Sequence, residues 1–224
     1  MVLILLVIVA FAGATYVLPS YISNQVSGRI TRSLQTEEVQ AKVDTTPSFM
    51  LLFGHIDNID IVATNPKIDK VQFNELSVEG QDVEVNVQEL LLARRLIIDS
   101  AENLTVRGII DEKNLATLLT EQVDKITDIT VSITPNSVEA TGKISFFGQE
   151  ATVHVNGIMV LEGKNVLFRI TNVDTSNKLF GKIGISLTKD VFLVSADKLP
   201  LEGAKFTKLE QQNGQILIEA GINK

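Results

Sequence analysis

Residues 104–133 read LTVRGIIDEKNLATLLTEQVDKITDITVSI, and the periods within this stretch decide the fold. Leu104 to Ile109 is β-rich. Asp111-Glu112-Lys113-Asn114 then opens a run in which Leu115, Leu118, Leu119 and Val123 recur at helical spacing, and the acidic first turn suits the positive end of a helix dipole. From Ile129 the apolar residues return to every second position, at Val131 and Ile133. Strand, short helix and strand in succession predict one elongated, curled sheet rather than two domains.

Reading outward from this stretch extends the strands in both directions. Downstream, Pro135-Asn136 marks a turn, and the chain returns through Val138, Ala140 and Ile144. Residues 151–161 and 166–173 form a second pair across Glu162-Gly163-Lys164-Asn165, and 206–222 a third that turns at Asn213-Gly214. Between them, 178–187 is ambiguous: Leu179, Phe180, Ile183 and Leu187 fit a helix that Gly181 and Gly184 weaken. Upstream, alternation appears at Val39, Ala41 and Val43, at Ile59, Ile61 and Ala63, and through Val71 and Phe73 with a phase change to Leu76 and Val78. Gly80 is read as the end of one hairpin arm, with Val83, Val85 and Val87 beginning the next. The sheet continues through 96–98 and 104–109, with a break around 99–103.

The N-terminal part differs in kind. Residues 1–18, MVLILLVIVAFAGATYVL, carry no charge, and the first charged side chain is Arg29. As a helix they reach about 27 Å, close to the span of a bilayer core. They read as a membrane anchor, or as a signal peptide cleaved after Ala12-Gly13-Ala14; both export the domain. Arg29 and Arg32, just after the apolar run, pull the other way under the positive-inside rule. Residues 19–36 place Tyr21, Ile22, Val26, Ile30 and Leu34 on one stripe, which predicts an amphipathic helix ahead of a β-rich domain over 37–224.

Composition removes most chemistries. The 224 residues include no cysteine and two histidines, which leaves almost nothing for thiolate, disulfide or His-rich metal sites. A net charge of -7 argues against a nucleic-acid partner. Aromatics make up 5% and tryptophan is absent, so the core must be aliphatic. The spacing from Gly157 to Gly163-Lys164-Asn165 is wrong for a phosphate loop, and neither G-x-S-x-G nor H-E-x-x-H occurs. His55 and His154 read as strand-end or surface imidazoles. Asp57, Asn58 and Asp60 read as a solvated strand edge, since they lack the glycine and distal glutamate of a calcium loop. No catalytic residue, metal or cofactor is expected.

Two apolar blocks remain as candidate binding residues. Pro47-Ser48-Phe49-Met50-Leu51-Leu52-Phe53-Gly54 is bounded by breakers and too short to span a membrane. It is either a plug at one end of the sheet or a lip that meets lipid through Phe49, Met50, Leu52 and Phe53. Phe146-Phe147 is an adjacent pair whose rings face opposite sides if extended, so one leaves the core or the chain bends there.

The order of these features resembles the LmeA-like family of bacterial envelope phospholipid-binding proteins. The residues that carry the resemblance are the leader ending Leu18-Pro19, the stretch from Pro47 to Ile59, Phe73-Asn74-Glu75-Leu76 leading to Val83-Glu84-Val85, Ile110 to Leu115, and Leu199-Pro200-Leu201-Glu202-Gly203. The resemblance implies an α+β fold of the tubular lipid-binding kind: an elongated, strongly curled antiparallel sheet wrapping one or two helices around an apolar groove, behind an N-terminal hydrophobic helix. It implies a non-enzymatic, membrane-tethered protein on the extracytoplasmic side whose partners are phospholipid or another envelope lipid and the membrane. An envelope adaptor with a filled interior is the alternative.

Overall fold

The computed structural model describes residues 36, 38–89, 92, 97–123, 126–146, 149–176, 190–199 and 203–222. The apolar leader, the amphipathic helix expected over 19–36 apart from Thr36, Phe147, and the ambiguous 178–187 segment lie outside the described residues.

Fourteen strands account for most of the described chain, and every pairing is antiparallel. The first sheet holds β1 (Glu38–Asp44), β2 (His55–Thr64), β5 (Glu75–Val85), β7 (Asn103–Asp111), β14 (Gln215–Ile222) and β13 (Lys205–Gln212) in that order, with β6 (Ile98–Ser100) also on β5. The second holds β12 (Val191–Ser195), β11 (Asn165–Thr175), β10 (Gln149–Glu162), β9 (Val138–Phe146) and β8 (Ile126–Ile133). β3 (Lys67–Ile68) and β4 (Val71–Gln72) form a small separate hairpin. The architecture is a strongly curled, half-barrel-like antiparallel sheet with few helices. The single elongated sheet expected from the sequence is thus divided in two. The stretch 104–133 is where the chain crosses over: β7 belongs to the first sheet, β8 to the second, and the helix α1 (Glu112–Gln122) joins them.

The helix forms where its sequence dictates. Asp111 is extended and its carboxylate accepts the backbone N–H of Asn114 at 2.8 Å, an N-cap interaction. Asn74 doubles the cap. Its amide donates to Asp111 Oδ2 at 2.6 Å, while its carbonyl oxygen accepts from Asp111 N at 2.8 Å and Asn114 Nδ2 at 3.0 Å. Two of the stretches that carry the family resemblance, around Asn74 and around Asp111, therefore meet in space. Glu112 in the first turn accepts from the backbone of Ile133 at 2.8 Å, which ties the helix start to the far end of β8. The apolar stripe, Leu115, Leu118 and Leu119, is buried in the core with Ile110, Val138, Val166 and Ile216.

One strand departs from its reading. Gly80 does not end a hairpin arm; β5 runs unbroken from Glu75 to Val85 and pairs with β2 on one side and β7 on the other. The buried positions do change phase, from Leu76 and Gly80 to Val83, because Asp82 has φ 47 and turns the strand by one residue. Gly80 serves packing instead: a Cβ there would come within 2.9 Å of Ile59, Leu104 and Val83 side-chain atoms. The other hairpins turn where expected, with Gly163 and Gly214 at φ 60 and 79. The β13–β14 hairpin is bolted to the second sheet by Gln211, whose side chain accepts from Met159 N at 2.7 Å and donates to Thr134 O at 3.0 Å, and by Gly214 N donating to Ile133 O at 2.9 Å.

Candidate functional site

The apolar block between β1 and β2 folds as a 3-10 helix, Ser48–Phe53, at one end of the first sheet. Three residues per turn stack i on i+3, and the burial follows that period. Ser48 and Leu51 face inward and are buried, Phe49 and Met50 are half-buried, and Leu52 and Phe53 stand 59% and 74% exposed. Gly54 stops the helix at φ 87, and its carbonyl accepts from Val85 N at 2.8 Å. A Cβ at Gly54 would fall 2.1 Å from the Val85 carbonyl oxygen, so only glycine lets the turn sit so close on β5.

The other side of the turn is held by Asp57. Its carboxylate accepts the Thr45 hydroxyl at 2.9 Å and the Thr46 backbone N–H at 2.7 Å, and it pairs with His55 Nε2 at 3.1 Å. These partners, the Thr45 hydroxyl foremost, hold the Asp57 carboxyl below the ordinary carboxylate range. Asp82 of β5 adds a third potential ligand, within 4.8 Å of the other two. Both Asp57 oxygens are already engaged by hydrogen bonds, so the group acts as a clasp on the base of the turn. His154 is exposed and meets Thr141 Oγ1 at 3.1 Å.

A narrow apolar crevice lies elsewhere, between the first sheet and β12. Phe73, Leu76, Val106 and Gly108 line it on one side and Val194 and Leu199 on the other, with Phe206 at its edge. It contains about 10 Å³ of free space, the room of one water at most, whereas pockets for small ligands run to hundreds of Å³. Leu76 and Val85 are the two ends of this separation: nine residue steps along β5, roughly 30 Å of strand, lead from the crevice to the turn at Gly54.

Phe146 and Phe147 fall at another place again. Phe146 is the last residue of β9 and pairs with Gln149 at the start of β10 in the second sheet. The Phe146 side chain, like Phe147, lies outside the described residues. One exposed apolar residue was not anticipated: Leu92, in the connection between β5 and β6, is 85% exposed. Its signal was available as the run Leu90-Leu91-Leu92, which has no polar interruption.

The family model for LmeA-like phospholipid-binding proteins matches residues 13–221. The chain belongs to that family. LmeA-like proteins are a phospholipid-binding family and not an enzyme family. The LmeA-like match takes in both sheets, the Ser48–Phe53 turn and the crevice. No curated protein and no solved structure matches the chain. Among the described residues no helix is long and apolar enough to cross a membrane.

Proposed function

We propose that this LmeA-like chain binds phospholipid or a related envelope lipid without chemically converting it, as a domain tethered by its N-terminal apolar run on the extracytoplasmic side. The observation that carries the reading is the Ser48–Phe53 turn, which presents Leu52 and Phe53 to the outside from a base fixed by Gly54 and Asp57. Exposing two large apolar side chains on a rigid support fits contact with lipid. The bound acyl chains would occupy the seam at Phe73, Leu76, Val194 and Leu199 once Val194 and Leu199 part from the first sheet, gaining about 0.8 kcal/mol per buried methylene.

The close packing of that same seam favours a second reading, an envelope adaptor that holds no lipid inside. Native mass spectrometry separates the two. The purified chain, exchanged out of detergent after incubation with phospholipid vesicles, is expected to carry one or more phospholipid masses. A chain that stays lipid-free under these conditions leaves the adaptor. Placement is tested by protease protection on whole cells: if the domain is shielded on the cytoplasmic side, the Arg29 and Arg32 bias was the better guide to topology.

A further inference from the structure

We infer that His55, Asp57 and Asp82 form a binding site for one divalent transition-metal ion, zinc foremost, at the base of the Ser48–Phe53 turn. The fold brings the three donors together from two strands. His55 and Asp57 are two apart on β2, so their side chains leave the same face. The register pairs Ile56 with Val83 and Asn58 with Gln81, which sets Asp57 and Asp82 opposite each other across β2 and β5. One donor atom from each of the three residues lies within 4.8 Å of the other two. Charge gives the reason for a cation, because like charges facing each other across a strand pair repel. Every other ion pair among the described residues matches an acid with lysine or arginine, whereas the partner here is His55. The Asp82 carboxylate has no hydrogen-bond or ion-pair partner among the described residues.

Spacing and donor type select the ion. Nitrogen and oxygen donors about 2 Å from a shared zinc stand about 3–3.5 Å apart, and His55 Nε2 is 3.1 Å from Asp57 Oδ1. Asp82 is exposed, so its side chain is free to swing through the remaining distance. A carboxylate has about four acceptor positions. Thr45 and Thr46 take two of those on Asp57, and the ion replaces the proton between Asp57 and His55 Nε2, which passes to Nδ1 or to solvent. The two threonine hydrogen bonds then hold the ligating carboxylate in place, as outer-shell partners do in metal sites. One imidazole nitrogen with two carboxylate oxygens suits zinc. Calcium takes about six to eight oxygens, more than these three side chains supply. The His55 and Asp57 side chains are 31% and 32% exposed, so an ion reaches them directly from solvent.

The full chain, stripped of metal with a chelator, is titrated with Co2+, whose visible absorption reports its coordination, and then with Zn2+ or Ca2+ as competitor. One Co2+ per chain is expected to bind and to be displaced by an equal amount of Zn2+ but not of Ca2+. Zn2+ is also expected to raise the melting temperature of the natural chain. His55→Gln and Asp82→Asn should each weaken Co2+ binding by about tenfold or more. His154→Gln, which changes the other histidine of the chain, should leave it unaltered. Asparagine tolerates the left-handed backbone at position 82, where φ is 47, so Asp82→Asn should melt with the natural chain when both are metal-free. If it melts lower, the His55→Gln titration decides. No Co2+ binding to the natural chain, binding that survives the changes at 55 and 82, or binding lost with His154→Gln overturns the site. Displacement by an equal amount of Ca2+ overturns the assignment to a transition metal.

Discussion

Two short helical segments of the described chain, each carrying apolar residues, behave in opposite ways. The helix Glu112–Gln122 lies between two sheets, so its stripe of Leu115, Leu118 and Leu119 finds cover on both sides, and its start is closed by Asn74, Asp111 and Glu112. The Ser48–Phe53 turn sits at the end of one sheet and buries only Ser48 and Leu51. A layered fold covers the middle of its sheets and leaves the ends bare. Apolar residues in the first position account for stability. In the second, Leu51 joins the core, whereas the exposed Leu52 and Phe53 have no such role and call for an outside contact.

The largest test of this contrast is Leu115→Ala. Leu115 has no exposed surface, and removing most of its side chain should cost about 2–5 kcal/mol, read as a lowered urea midpoint with an unchanged slope. A loss below about 1 kcal/mol would mean that the helix is not part of the core, and the contrast would collapse. Next in size is Asn74→Ala, which strips three hydrogen bonds from the cap and leaves Asp111 to hold the helix start alone; the expected cost is about 1–3 kcal/mol. Asp111→Ala, losing the N-cap, should cost about 1–2 kcal/mol.

The same contrast explains what the sequence could and could not reveal. The turns at Pro135-Asn136, Gly163-Lys164 and Asn213-Gly214 and the start of the helix at Asp111 are local events, written in the residues that adopt them. The division into two sheets is not local. It depends on β14 pairing with β7 and on β2 and β5 pairing before the helix crosses over, choices made by side chains far apart in sequence. The misread hairpin at Gly80 has a narrower cause: a single left-handed Asp82 shifts the alternation by one residue, and periodicity alone cannot tell such a shift from a turn. At the site, the breakers Pro47 and Gly54 bounded the turn correctly, while the clasp of Thr45, Thr46, His55 and Asp57 depends on pairing across β1 and β2 and has no signature in composition.

A smaller effect tests the clasp. Since the folded protein holds the Asp57 carboxyl below its ordinary value of 3.8, the stabilisation from Thr45 and Thr46 is present in full above that pH and is lost as pH falls through the folded value. Urea midpoints of the natural chain and of Asp57→Asn should therefore differ at neutral pH, begin to converge as pH falls below about 3.8, and meet only below the folded value. A gap that persists unchanged in acid would show that the carboxylate's charge is not what fixes the base of the turn.

The smallest expected effect on stability belongs to Phe53→Asp, and it bears most directly on function. Phe53 is 74% exposed, so replacing it removes little buried area, and a surface substitution of this kind changes stability by no more than about 0.5 kcal/mol. The 3-10 period puts it on the same face as Met50, which is only half-buried, so little core packing is lost. A carboxylate at the tip of the turn is a different matter for a bilayer, because carrying a charge into the apolar layer is costly. The melting temperature should therefore stay nearly constant while phospholipid uptake from vesicles falls. If Phe53→Asp unfolds the domain instead, the block is a plug at the end of the sheet and its exposure is misleading. If melting temperature and uptake are both unchanged, lipid enters elsewhere, and Phe146 at the end of β9, with Phe147 next to it in sequence, is the next place to substitute.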